Sequence, residues 1–514
     1  MSWVTFPAVP DDADASTDAP LDAPDEPTAP IPPVRAADLD GWDDTADVIV
    51  VGLGVAGACA ALEAVEAGAD VLALERSAAG GGTSAHSGGI IYLGGGTPLQ
   101  EACGFTDSAD AMFDFLVAAC GPDADEAKIR PYCDESVDHY HWLVDHGIAF
   151  KPVFHPERDR EPPNEDGLVY SGGEDSWPFA DLAAPAPRGH VPEHPHATGV
   201  YIMARLLEAL AATAARVQTD AKVTNLVVDD AGEVVGVVAS VDGAPRALRA
   251  RGGVVLTAGG FIYNPEMVDQ HVPLAAHCVF YVGTDTDDGS GIRLGQGAGA
   301  AARHLDALEC SLPLNPPRRI SVGILVNGKG ERFINEDTYN GRIGLEILLR
   351  QDEEAYLVFD EEGYVVNAVG MRATWVCESA TELAEEIGLP AGALEATLAA
   401  YNEAAERGED PQFHKVPELV RPLVPPLGAI DLRVANAIYA PFTLGGLDTT
   451  PDSEVRRDDG SVIPGFYAAG RTTAGIAVRG YVSGISVGDG SFFGRRAGRA
   501  AAARAAATVG DGAA

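Results

Sequence analysis

Three glycines and one carboxylate carry the first chemistry in this chain. Gly52, Gly54 and Gly57 form a GxGxxG pattern, and Glu75 follows 23 residues after Gly52. The first glycine permits a tight turn, the second lets a pyrophosphate approach the backbone, and the third lets a helix pack closely on a sheet. A carboxylate at the end of the next strand can accept hydrogen bonds from both hydroxyls of an adenosine ribose, and its charge argues against a bound 2′-phosphate. For these residues to meet, the chain must run strand, turn, helix, strand. ADVIVVGLGVAGACAALEAVEAGADVLALERS (46–77) does so. Val48–Val51 is a β-branched run suited to a buried parallel strand. The helix from Ala56 to Glu66 points its N-terminal N–H groups and positive dipole end at the phosphates. A lone GxGxxG is weak evidence; strand, glycines, helix, strand and terminal acid together predict a dinucleotide site.

The next stretch favours FAD over NAD. Residues 80–96 read GGGTSAHSGGIIYLGGG, and a flat, bulky isoalloxazine needs close backbone approach along its face. Residues 221–240 are predicted as a β-hairpin turning at Asp229–Gly232. Segments 251–261 (RGGVVLTAGGF) and 460–471 (GSVIPGFYAAGR) are predicted as further parallel strands. This order of parts is similar to that of glutathione-reductase-like FAD enzymes, a resemblance that implies Gly470 meets the flavin ribityl chain. A single fingerprint implies that no second site of that kind holds a nicotinamide.

Size and composition set the outer limits. At 514 residues the chain is expected to form two or three domains. A formal net charge of −42 should repel nucleic acid and anionic membrane surfaces. No apolar run approaches the ~18–20 residues that span a bilayer, so no membrane insertion is expected. The seven cysteines form neither CxxC nor CxxCH, which argues against an iron–sulfur cluster, a c-type haem, a zinc finger or a disulfide framework and fits a reducing cytoplasm. His190, His194 and His196 are not on metal spacing, and no metal site is expected. The start of the chain has no basic or apolar signal-peptide region. Its Pro-, Ala- and Asp-rich composition predicts a flexible arm over residues 1–40.

Between about Asp47 and Gly498 the chain resembles the fumarate reductase / 3-ketosteroid dehydrogenase flavoproteins. The marks are VGLGVAGACAALEA…LER, PHATGVYIMARLLEAL, VVLTAGGF, GTDTDDGSGIRLGQGAGA, GKGERFINED, TLGGLDTT and IPGFYAAG…FFGRRAG. The resemblance implies an α/β, Rossmann-like, glutathione-reductase-like FAD-binding domain over 41–301 and 442–507. It also implies an inserted α+β capping domain over 302–441. It assigns non-covalent FAD to Gly52, Gly54, Ala56, Gly57, Glu75 and Arg76 in the first fingerprint, and to Gly82, Thr83, Ser84, Ser87, Gly88 and Gly89 in the glycine-rich stretch. Val223, Ala258, Gly259, Gly260, Asp288, Gly470, Ser486 and Val487 complete the set. His86 does not match the spacing of the histidine that carries covalent FAD in succinate dehydrogenases.

The same resemblance separates possible substrates. Fumarate reductases read like GGVHGANRLGGN near the end, with a His and an Arg that grip a dicarboxylate. Here AGIAVRGYVSGIS (474–486) puts Ala477 at the His and Tyr481 at the Arg. A carboxylate site needs guanidinium forks, whereas a tyrosine can donate one hydrogen bond to a ketone. Arg479 is nearby with its direction unassigned. Tyr481-Val-Ser483 is similar to the 3-ketosteroid Δ4-(5α)-dehydrogenase pattern, while Δ1-dehydrogenases carry Tyr-x-Gly-Pro-Gly. Tyr339 matches a substrate-covering tyrosine of both groups. The resemblance therefore implies Tyr339, Tyr481 and Ser483 as the catalytic set for a steroid substrate. The expected reaction is oxidation of a 3-oxo-5α-steroid at C4–C5, with an unidentified electron acceptor. A Δ1-dehydrogenase and a flavin reductase of an enone or unsaturated acid remain the alternatives. A backbone N–H at Gly484–Ile485 is expected to assist Tyr481. Arg471, where relatives carry Glu, either lies beside the flavin or faces solvent.

Overall fold

A computed structural model describes residues 27–157, 162, 164–196, 198–312, 318–365 and 372–511. Its largest element is a nine-stranded sheet. Asp44–Val51 lies at the centre, between Val71–Leu74 and Ala244–Leu256, parallel to both. Val48, Ile49 and Val50 are fully buried, as expected of a strand covered on both faces. The strand predicted at 251–261 begins earlier, at Ala244. Its first half pairs antiparallel with Val234–Val241, and its second half runs parallel to Asp44–Val51 and Val462–Ala468. Tertiary pairing extends it through a charged, exposed stretch that has no apolar signal.

The fingerprint helix, Val55–Glu66, packs against the terminal helix Ile485–Asp511. Two glycines four residues apart allow this. A Cβ at Gly494 would fall 2.3 Å from Ala56 O, and one at Gly498 would fall 2.1 Å from Ala60 O. Glu63 on the first helix accepts from Arg495 (2.8 Å) and Arg499 on the second, which fixes their register.

The predicted arm needs correction. Its first 26 residues lie outside the described ones, but residues 27–40 are tied down. Val34–Arg35 pairs in parallel with Ala221–Val228. Arg293 Nε donates to Ala29 O at 2.7 Å, and Asn264 Nδ2 donates to Pro27 O at 3.0 Å. Proline-rich chain cannot build a core, yet its carbonyls still accept hydrogen bonds and its backbone can cover a sheet edge.

A second unit of structure stands over this sheet. Ile324–Asn327, Ala355–Asp360, Leu427–Asp431 and Trp375–Cys377 form an antiparallel sheet in that order. Ala380–Ile387 and Ala393–Ala405 bury Leu383, Leu394 and Leu398 on it, in a core of its own. The ribbon of Leu308–Ser311 and Ala440–Thr443 carries the chain into and out of this unit, pairing Glu309 with Phe442. Among the described residues, no helix is long and apolar enough to cross a membrane.

Candidate active site

One continuous cavity runs from Glu75 at the end of the central sheet to Tyr339 and Tyr481 under the second unit. At the first end, Glu75 Oε2 accepts from Leu53 N–H (2.9 Å) and Oε1 from Ser77 N–H (2.9 Å). A carboxylate has about four acceptor positions, so two remain for ribose hydroxyls. Gly52 adopts φ +95°, and a Cβ there would lie 2.6 Å from Thr257 O. The turn is therefore closed to larger residues, and the helix N-terminus stays open to an anion. Gly54, Ala56, Arg76, Gly82, Thr83, Ser84, Ser87, Gly88, Gly89, Val223, Ala258, Gly259, Gly470, Ser486 and Val487 also line the cavity.

Three of the expected residues do not. Gly57 faces the sheet, where a Cβ would fall 1.8 Å from Gly52 O, so its role is packing. Gly260 N–H is donated to Asp287 (3.2 Å). Asp288 turns aside to Arg76 (2.7 Å) and caps Ser290 N–H (3.0 Å). Its neighbour Asp287 takes the cavity instead, accepting from Thr83 Oγ1 (2.6 Å) and Arg471 Nη2 (2.7 Å).

Arg471 therefore does not face solvent. It lines the cavity beside Phe442, and its Nη1 is buried with no hydrogen-bond partner. An unpaired buried donor is costly, and a bound group with an acceptor here would satisfy it. His190 is a core residue rather than a ligand: it bonds Thr97 Oγ1 (2.8 Å), and burial lowers its pKa to about 4.

At the far end the predicted catalytic set converges. Tyr339, Tyr481 and Ser483 all line the cavity. The rings of Tyr339 and Tyr481 lie 6.3 Å apart, and Phe442 packs edge-on against Tyr481 at 5.3 Å. Burial pushes the Tyr481 hydroxyl up to about 12, so it stays protonated at neutral pH and available as a donor. Its oxygen accepts from Ser486 N–H at 3.4 Å. The expected backbone donor at 484–485 is narrowed, because Ile485 N–H is donated to Val482 O at 3.1 Å. Arg479 turns to the surface, pairing with Asp123 (3.0 Å) and Asp306 (2.8 Å). It lends no guanidinium to the cavity.

Sequence reading missed Glu309. It is buried, and Tyr339 Oη donates to its Oε1 at 3.1 Å.

Comparison with known proteins agrees with this geometry. A family model described as an FAD binding domain matches residues 47–487. A solved structure of 3-ketosteroid-Δ4-(5α)-dehydrogenase from Rhodococcus jostii RHA1, in complex with 4-androstene-3,17-dione, is 47% identical with TM-score 0.88, covering 92% of this chain and all of that one. A curated 3-oxo-5-alpha-steroid 4-dehydrogenase of Comamonas testosteroni is 30% identical over 85% of this chain and 94% of its own length. Fumarate reductase (cytochrome) of Shewanella frigidimarina is 26% identical over 91% of this chain and 79% of its own length. The cofactor is FAD, and the open helix N-terminus, Glu75 and the Gly52 turn fit it.

One consequence concerns Gly57. Gly57→Ala forces a clash with the turn that no flexible side chain can relieve. The expected product is protein lacking flavin absorbance; a purified variant with wild-type flavin content would show that the helix can shift away.

Proposed function

The chain belongs to the FAD binding domain family of flavoproteins, and on that premise we propose that it oxidises 3-oxo-5α-steroids at C4–C5 to 3-oxo-4-enes. The observation that carries this reading is the meeting of Tyr339, Tyr481 and Ser483 at one end of the FAD cavity, with Arg479 turned away. That end offers hydroxyls to a ketone, and the Arg471 guanidinium near it is held by Asp287 at 2.7 Å rather than left as a fork for a dicarboxylate.

In this reading Glu75 holds the adenosine ribose, the N-terminus of Val55–Glu66 faces the phosphates, and Gly470 lies against the ribityl chain. Bound FAD supplies a hydride acceptor. Tyr481 donates to the 3-oxo group and stabilises the charge that grows there as the α proton leaves. Ser483 and Tyr339 are the groups at this end available to take up that proton. Residues 302–441 act as the cap that excludes water, and Phe442 and Tyr481 make the apolar wall against which the steroid rings lie. The seven cysteines, none in a disulfide, support a cytoplasmic setting. Reoxidation then falls to an acceptor other than a nicotinamide held on a second fingerprint.

The test is anaerobic. Adding a 3-oxo-5α-steroid to the yellow protein should bleach the flavin and yield a 3-oxo-4-ene. Bleaching only with a 4-ene steroid would make the enzyme a Δ1-dehydrogenase. If no steroid bleaches it, while an unsaturated acid reoxidises the reduced flavin, the steroid reading is wrong.

A further inference from the structure

Glu309 sits on the ribbon strand Leu308–Ser311, opposite Phe442 and 1% exposed. Tyr339 Oη donates to its Oε1 at 3.1 Å. Gly341 closes over the same oxygen, since a Cβ there would fall 1.8 Å from it. The carboxylate is thus held behind Tyr339 and does not line the cavity. Arg342 interacts with it electrostatically from the helix Asn340–Arg350. The Arg342 guanidinium lies over Phe179 at 4.3 Å, with Nε and Nη2 unpartnered. Tyr481 interacts with it from the loop before the terminal helix, and Cys310 from its own strand.

Holding the Tyr339 ring in place requires only an acceptor, which a glutamine would supply without burying an ionisable group. Burying a carboxylate costs free energy unless it is paired. Burial pushes Glu309 up to about 7, against the Tyr339 hydrogen bond and Arg342, which both favour its charged form. The group therefore changes protonation near neutral pH, one hydrogen bond from a candidate catalytic hydroxyl.

We propose that Glu309 is the proton acceptor behind Tyr339 in the steroid oxidation. This rests on the reading of Tyr339 as catalytic. As the α C–H bond breaks, its electron pair stays to form the new C=C bond, and the proton arrives at Tyr339 Oη. The original Tyr339 proton passes to Glu309 Oε1, so the tyrosine ends neutral and the carboxylate becomes a carboxylic acid. The β hydrogen leaves with its electron pair as the hydride that reduces the FAD. Glu309 acts through Tyr339 and touches neither substrate nor flavin, which makes it a positioning and relay residue.

The experiment follows anaerobic flavin bleaching by a 3-oxo-5α-steroid from pH 5.5 to 9 in wild type, Glu309→Gln, Glu309→Asp and Tyr339→Phe (pH range chosen to bracket about 7). Wild type should slow as pH falls through about 7, where Glu309 gains a proton. Glu309→Gln should bleach about 10²-fold slower at high pH, the lower end of what proton-transfer groups contribute, and lose the pH limb. Glu309→Asp should keep the limb at a reduced rate. Infrared difference spectra of the wild type on reduction should show a new protonated-carboxyl band that Glu309→Gln lacks; this readout does not depend on turnover rate. A slow Tyr339→Phe, together with a Glu309→Gln that keeps the wild-type rate and limb, would overturn the relay alone. A Tyr339→Phe as fast as wild type would overturn the reading of Tyr339 on which it rests. If Glu309→Gln does not hold FAD, the wild-type infrared band and the Glu309→Asp limb decide, and absence of both overturns the proposal.

Discussion

Tyr481→Phe is expected to slow steroid-driven flavin reduction by about 10²–10³-fold, or about 2.7–4 kcal/mol of transition-state stabilisation, the size of losing one oxyanion donor. The ring sits between Phe442 and Tyr339, and phenylalanine keeps those contacts. Only the hydroxyl is lost. Its hydrogen bond with Ser486 N–H is long at 3.4 Å, so its removal should cost little stability. The variant should therefore hold FAD, melt near wild type and bind a 3-oxo-4-ene product only modestly more weakly. That combination separates loss of a catalytic donor from loss of the fold. Stopped-flow bleaching within about fivefold of wild type would remove Tyr481 from the oxyanion role. Tyr481 is pushed up to about 12 by burial, so the rate should show no limb from this group between pH 6 and 9. A limb in that range belongs to a different group, and Glu309 is the buried acid placed to supply it.

How far the sequence spoke for itself depended on how local each signal was. The fingerprint was legible because strand, turn, helix and Glu75 all lie within 32 residues (46–77), and each part constrains the next. Tyr339 lies far in sequence from the Tyr481-Val-Ser483 segment; the set became legible only through family resemblance, and the fold brings it to one cavity. Glu309 was hidden. It falls between Leu308 and Cys310 in an alternating strand, a pattern that normally puts the acid on a solvent face. Here the two-stranded ribbon is covered on both sides, so the polar face is buried as well. Asp287 and Asp288 were adjacent acids in a turn, where one residue of register decides which enters the cavity. That register is set by the hydrogen bonds to Arg471 and to Arg76, neither of which is near in sequence. The arm over 27–40 was misjudged because composition measures the capacity to build a core, not the capacity to be hydrogen-bonded to one.

Arg332→Met should destabilise the protein by about 3–5 kcal/mol, the cost of removing one partner from a buried ion cluster. Arg332, Glu336, Asp410 and Lys415 are all buried. The guanidinium forks both carboxylates: Nε and Nη2 reach Glu336 at 3.0 and 2.8 Å, and Nη1 and Nη2 reach Asp410 at 2.9 and 2.8 Å. Lys415 Nζ adds a contact to Glu336 at 3.2 Å. Two cations and two anions cancel; without Arg332, one ammonium faces two buried carboxylates. Burial pushes Glu336 up, but Lys415 and Arg332 outweigh it and hold the group below its ordinary 4.5. Asp410 is likewise held below 3.8. For carboxylates lowered on folding, the stabilisation is fully present above those unfolded values and is lost as pH falls beneath them. Wild type should therefore lose this contribution below about pH 4, whereas Arg332→Met should be less stable at neutral pH and less sensitive to acid. The effect reaches the active site because Glu336 and Tyr339 line the same cavity three residues apart. Loosening the cluster frees the segment that places Tyr339, so flavin reduction should weaken even where FAD, held by the other unit, stays bound. Urea unfolding followed at pH 7 and at about pH 3, beneath the unfolded carboxylate values, checks the first part, and an unchanged midpoint at pH 7 would show that the cluster carries no net stabilisation.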